Sequence, residues 1–316
     1  MRIGFYFPSF WGSQASSLES LGAAAEEAEA AGFSSLWAAD HFYLPPAELE
    51  AVDMAGQSGR EVPELWTLLA FCAARTRRIK LGSLVSSVTF RSPGVLFAIV
   101  NTLDALSGGR VILGLGAGDL EEEHRRLGLP YPGARDRFDM LEETLRILLQ
   151  GWGGEDRPFH GDHYQMASTA TGATMAVQKP HPPILIGGRG EKRTMTLAAR
   201  YADIYNTGVI GSPAPLARKL DILRERCERE QRSFASISRT VVDFTSISPA
   251  EGDRCLTPNQ YRERLRTFAQ LGVEEVIVMQ LGEVNPWFFE VFRTELIPTA
   301  AELPVLAGSG QCGYGN

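Results

Sequence analysis

Short apolar runs alternate with longer stretches of helical period along nearly the whole chain. Arg2–Pro8 predicts a strand ending at a proline, and Leu18–Ala31 a helix with Leu18, Leu21, Ala25 and Ala28 on one face. Gly32 then supplies a left-handed stop. The same alternation predicts strands at Ser34–Ala38, Ile79–Val85, Val111–Leu115, Ile184–Gly187, Ile204–Thr207, Ile237–Phe244 and Glu275–Gln280. Helices are predicted at Glu64–Ala74, Ser92–Leu106, Arg135–Gln150, Lys192–Tyr201, Ala214–Glu230, Thr257–Gly272 and Pro286–Glu295. Ser92-Pro93 is an N-cap followed by a first-turn proline, and Thr257-Pro258-Asn259-Gln260 has the form of a capping box. Eight strand–helix units predict an α/β protein, a (β/α)8 barrel with insertions in its βα loops. An open doubly wound sheet is the competing reading, because a linear pattern does not display closure. The expected organisation is one barrel domain over residues 1–302, a small hairpin insertion near 157–166, and a flexible Gly-rich tail over 303–316.

Composition narrows the class. The chain has 316 residues, 44% of them hydrophobic and 22% charged, which fits an ordinary globular protein. Its 31 basic and 38 acidic side chains leave a net charge of −7, against a nucleic-acid or anionic-membrane partner. No apolar run has transmembrane length. Cys72, Cys227, Cys255 and Cys312 lack CxxC spacing and read as reduced thiols, so a cytoplasmic location is expected.

In a barrel, chemistry gathers where strands end. The second strand ends in Ala39-Asp40-His41-Phe42, and imidazole is suited to proton transfer near neutral pH. Here Asp40 either caps the next segment or serves His41. The fourth strand runs into Gly114-Leu115-Gly116-Ala117-Gly118-Asp119, which departs from a dinucleotide fingerprint because the third glycine comes early and no helix is predicted directly after it. Backbone brought close to a flat cofactor suits it better. The fifth strand leads through Gly187-Gly188-Arg189-Gly190 into a helix beginning near Glu191-Lys192-Arg193, which predicts an anion or phosphate site at a helix N-terminus. His160-Gly161-Asp162-His163 reads as a hairpin turn before a metal site, and Arg75, Arg77, Arg78 and Lys80 as a solvated helix end. No metal is expected, since the first strand ends without the histidines of a metal-dependent barrel hydrolase.

Several stretches together resemble the luciferase-like monooxygenase superfamily, in its branch of coenzyme F420-dependent oxidoreductases. They are Gly32–His41, Leu81–Pro93, Leu103–Arg110, Gly114–Gly118 and Pro182–Thr194, closed by Ala199–Asp203. The resemblance implies a barrel holding a deazaflavin or flavin at its C-terminal face. It also implies a cis peptide at Leu84–Val85 forming a bulge behind the ring. Cofactor contacts carry over to Leu84, Val85, Gly116, Ala117, Gly118 and Asp119, with the phosphate loop at Gly187, Gly188, Arg189 and Gly190. His41 becomes the proton donor or acceptor beside the hydride path, Asp40 its orienting partner, and Trp11, Phe42 and Trp66 pocket walls. The expected activity is hydride transfer between F420 and a small organic substrate. An FMN-dependent monooxygenase and a non-catalytic flavin-binding barrel are the alternatives. A homodimer is expected from the resemblance alone.

Overall fold

The computed structural model describes residues 1–7, 18–43, 62–169, 176–250, 252, 255–280 and 284–305. Trp11, most of the stretch after Tyr43, Cys312 and the tail from 306 lie outside them.

Eight parallel strands follow the predicted order: β1 (Arg2–Tyr6), β2 (Ser35–Ala38), β3 (Lys80–Ser83), β5 (Val111–Gly116), β8 (Ile184–Gly187), β9 (Ile204–Ile210), β10 (Ser238–Phe244) and β13 (Glu275–Met279). Each pairs with its neighbours, β13 pairs with both β10 and β1, and β3 pairs with β5. The ring therefore closes, which rejects the open sheet. The two-residue β4 (Ser86–Ser87) lengthens the β3 edge against the end of β5.

Sequence dictates the layering. On β1, Phe5 points outward and meets Phe33, Phe288, Phe289 and, just past the strand, Phe7, with ring centroids 5.4–6.3 Å apart. This outer layer is the larger core, between the strands and α1 (Leu18–Ala31), α2 (Leu65–Arg75), α3 (Pro93–Ser107) and the later helices. Inside the ring a second cluster stacks Tyr6, Trp37, Ile112, Leu185, Val242 and Ile277. Trp37 is wholly buried, and a Cβ on Gly82 would lie 2.2 Å from its indole. Glycine at position 82 is thus the space that the ring fills.

Further helices are α4 (Glu121–Leu127), α5 (Ala134–Trp152), α6 (Arg193–Tyr201), α7 (Leu216–Arg229) and α8 (Pro258–Gln270). The capping box at Thr257–Gln260 forms as the sequence predicts. The hairpin β6–β7 (Phe159–His160 and Gln165–Met166) turns at Gly161, where Glu143 of α5 accepts the N–H groups of Asp162, His163 and Tyr164. The small parallel pair β11 (Ser246–Ile247) and β12 (Cys255–Leu256) follows β10.

Two elements differ from the sequence reading. Helix α4 opens directly after the Gly116–Asp119 turn, where no helix was expected. The last helix is α9 (Pro286–Val291), a π-turn at Phe292–Leu296 and α10 (Ile297–Glu302), so it outruns Glu295. The run from Arg75 is an exposed helix end, as expected, with Arg75, Arg77 and Arg78 at the surface, and Glu29 accepts the backbone N–H groups of Arg77, Arg78 and Ile79.

Candidate functional site

The C-terminal strand ends enclose a cavity of about 640 Å³. Its floor is the bulge after β3, where the Leu84–Val85 peptide is cis, as the resemblance implies. Ser83 fixes this bulge: its hydroxyl donates to the Gly114 carbonyl at 2.9 Å and accepts the Gly114 N–H at 2.8 Å. A Cβ on Gly114 would lie 1.9 Å from the Ser83 carbonyl oxygen, so only glycine permits this approach. The Val85 side chain then lies across two strand ends. Cβ atoms on Gly116 and Gly187 would come within 2.6 and 2.8 Å of its methyls. The result is a low apolar ledge with open glycine backbone on both sides.

Helix α6 begins beyond β8, and its first N–H groups lack intrahelical acceptors. Gly187, Gly188, Arg189 and Gly190 line the cavity at this end. Gly188 has φ of +143°, and a Cβ on Gly190 would lie 2.7 Å from the Thr194 hydroxyl. These are the features of a cradle for an anionic group. Arg189 faces the cavity, but Arg193 turns away to Asp139 and the Arg135 carbonyl, so it adds no charge to the cradle. Donor atoms of Asp136, Asp139 and His163 lie within 4.8 Å of one another at this surface, and Arg193 and Arg135 flank the cluster.

The opposite side carries titratable groups. His41 and Asp40 line the cavity, yet they answer to different partners. Asp40, 2% exposed, is gripped by Arg91: Nη1 lies 2.5 Å from Oδ2 and Nη2 3.0 Å from Oδ1. The Ser86 hydroxyl donates to the same carboxylate at 2.6 Å, and Arg91 also reaches Glu64. Glu123 of α4 carries a hydrogen bond to the His41 ring. Its Oε2 lies 2.9 Å from His41 Nδ1, while Oε1 accepts the N–H groups of Phe42 and Tyr43. Burial alone would lower the His41 pKa, but the hydrogen bond and charge of Glu123 outweigh it and hold the imidazole above its usual range. Burial would likewise raise Glu123, and the imidazole and two backbone donors hold it below the ordinary carboxylate value. The pair faces the cavity, and each partner favours the charged form of the other.

His124 is the next residue. Its Nδ1 donates to the Leu120 carbonyl at 2.7 Å, and its Nε2 shares a hydrogen bond with the Thr89 hydroxyl at 2.5 Å. Thr89 pairs in turn with Ser87 at 2.6 Å, and Ser87 lines the cavity.

The expected cofactor contacts Leu84, Val85, Gly116, Ala117, Gly118 and Asp119 all line this one cavity. Two expected walls do not. Trp66 is 4% exposed in the outer core, and its indole N–H approaches Ser86 at 3.4 Å, so it braces the Asp40 network. Phe42 stands behind Phe90, edge to face at 5.5 Å, and Phe90 supplies the lining. Trp11 lies outside the described residues. Sequence reasoning missed Glu123, His124 and Arg91. The first two sit in Glu121-Glu122-Glu123-His124-Arg125-Arg126, a charge run with no apolar stripe. The available signal was acids in the first turn and bases in the last, matched to the helix dipole, before Gly128 as a left-handed stop.

Comparison with known proteins supplies the context. The model of the luciferase-like monooxygenase family matches residues 1–254. The chain belongs to that family. An F420-dependent glucose-6-phosphate dehydrogenase of Microbacterium testaceum is 34% identical, over 86% of this chain and 90% of that one. The enzyme of the same description from Nakamurella multipartita is 27% identical over 93% and 94%. Among solved structures, an F420-dependent secondary alcohol dehydrogenase in complex with an F420–acetone adduct superposes with a TM-score of 0.79 at 17% identity. It covers 95% of this chain and 98% of that one, and supports the barrel fold.

Proposed function

We propose that this protein is an F420-dependent oxidoreductase that moves a hydride between the deazaflavin coenzyme and a small organic substrate. The observation that carries the reading is the Val85 ledge between Gly116 and Gly187, flanked by an anion cradle on one side and the His41–Glu123 pair on the other. A flat ring with an anionic tail matches that order of surfaces, and full-length relatives described as F420-dependent dehydrogenases support the choice of coenzyme. When bound, F420 supplies two-electron hydride chemistry. Leu84 and Val85 would support the ring, Gly116, Ala117, Gly118 and Asp119 would border it, and Gly187–Gly190 with Arg189 would hold the phosphate. His41 gives or takes the proton at the substrate oxygen. Glu123 fixes its Nδ1 and stabilises its charged form. Asp40, locked to Arg91 and Ser86, anchors the strand end that presents His41.

The reading extends to one barrel domain over residues 1–302, a homodimeric assembly and a cytoplasmic location. No described helix is long and apolar enough to cross a membrane. A fluorescence titration tests the coenzyme. Tight F420 binding with much weaker FMN binding is expected, and micromolar FMN binding with none for F420 sinks the proposal in favour of the monooxygenase.

A further inference from the structure

The charges at the substrate end of the cavity point to a substrate class, an inference that rests on the F420 reading above. We infer that the protein acts on an uncharged secondary alcohol or its ketone rather than on a phosphorylated sugar. A phosphate dianion is held most strongly where cations, typically Arg or Lys, are free to meet it. Around this cavity several cations are already engaged, and Arg137, just behind it, spends its guanidinium on the Gly118 and Pro132 carbonyls. His41 faces Glu123 at 2.9 Å, Arg91 is shared by Asp40 and Glu64, Arg264 is clamped by Asp243 at 2.6 Å, and Arg193 is held by Asp139. Arg189 lines the cavity at the coenzyme's phosphate cradle, on the far side from His41, and Lys219 donates to the Arg189 carbonyl at 3.3 Å on that same side. Among the described residues, Arg189 is the one Arg or Lys lining the cavity.

The reacting end carries acid instead. Asp119 lines the cavity and lies close enough to His41 for its charge to be felt there, beside Glu123. A dianion seated at His41 would meet both carboxylates. The segments outside the described residues add little positive charge: their only basic side chains are Arg60 and Arg254, against seven acidic ones at Glu48, Glu50, Asp53, Glu61, Glu251, Asp253 and Glu283. The other walls are apolar, with Leu84, Phe90, Phe138, Val242 and Phe244 toward the cavity. An uncharged carbinol needs only this: an apolar surface for its substituents and one imidazole for its oxygen. Alcohol and ketone differ by a hydride, which is the coenzyme's part, and by a proton on oxygen, which is His41's part.

Equilibrium binding tests the inference without turnover. Ligand-observed NMR on the protein with and without F420 would use cyclohexanol, cyclohexanone and glucose 6-phosphate as probes. The expected result is saturable binding of the two neutral probes, changed less than about twofold between low and high salt, and at least tenfold weaker binding of glucose 6-phosphate. Glucose 6-phosphate binding as tightly as cyclohexanone and displacing it overturns the substrate class. Neutral probes binding no better than the sugar phosphate overturn it too. Selective binding of neutral probes alongside failure to bind F420 upholds the class and removes the coenzyme reading, so the two failures are distinct.

Discussion

The two ends of the barrel both bury charge, and they handle it in opposite ways. At the N-terminal end Arg110, 6% exposed, spends its guanidinium on the carbonyls of Ala73, Thr76, Ile79 and Ser107 and on the Thr76 hydroxyl. Its partners are neutral and do not titrate, so the group can only hold structure. At the C-terminal end Glu123 faces an imidazole, and that imidazole faces a cavity. A buried carboxylate whose partner exchanges protons near neutral pH is equipped for chemistry. Asp40 sits beside it and behaves like the opposite end, since Arg91 keeps its charge throughout the working pH range. Burial of charge therefore does not mark function at this barrel; exchangeability of the partner does.

The contrast breaks most visibly at His41. His41→Ala is expected to lower kcat by roughly 10²–10⁴-fold while F420 affinity changes only severalfold, read by steady-state kinetics and fluorescence titration. Unaltered turnover would remove His41 from proton transfer. Glu123→Gln should also lower turnover, by roughly 10²-fold, and shift the pH profile of kcat toward acid as the imidazole loses its counter-charge.

Arg91→Ala should be the largest change in stability, about 3–5 kcal/mol in urea unfolding, because Asp40 is left buried without its partner. Arg110→Ala should cost about 1–3 kcal/mol through its orphaned carbonyls, with kcat of the folded protein retained. A comparable loss of kcat in both variants would erase the difference between the two ends.

The pH dependence of stability follows from the same pair. The raised His41 pKa contributes stability that is complete below the unfolded value, near 6.5, and is lost as pH rises through the folded value. The lowered Glu123 pKa contributes above the unfolded value, near 4.5, and is lost as pH falls through the folded one. The stability difference between wild type and Glu123→Gln should therefore be greatest between these two values and decline on the alkaline side. A flat difference would mean that the pair is not ionic. The smallest effect is expected at Arg189→Ala, a severalfold loss of F420 affinity that shrinks as salt rises.

The barrel was legible because its signals are local: apolar runs, caps and stop glycines repeat once per unit. The glycine loop proposed to hold the phosphate was legible for the same reason, since Gly187–Gly190 and the helix after it are contiguous. The His41 partner was not. Asp40 is its neighbour in sequence and shares the cavity, but its carboxylate is taken up by Arg91 and Ser86. Glu123 arrives from 82 positions away on a helix without an apolar stripe, whose buried face is charged because it meets charge. Trp66 misled for a related reason: its helix is apolar all along the buried side, and sequence does not say which core it enters.

A crystal structure of the F420 complex tests the central claim most directly. The account predicts the deazaflavin ring lying on Val85 between Gly116 and Gly187, its phosphate at the N–H groups of Gly187–Gly190, and His41 beside the exposed ring face still paired with Glu123. A ring seated away from the Val85 ledge, or a His41 released from Glu123 and turned out of the cavity, would contradict it.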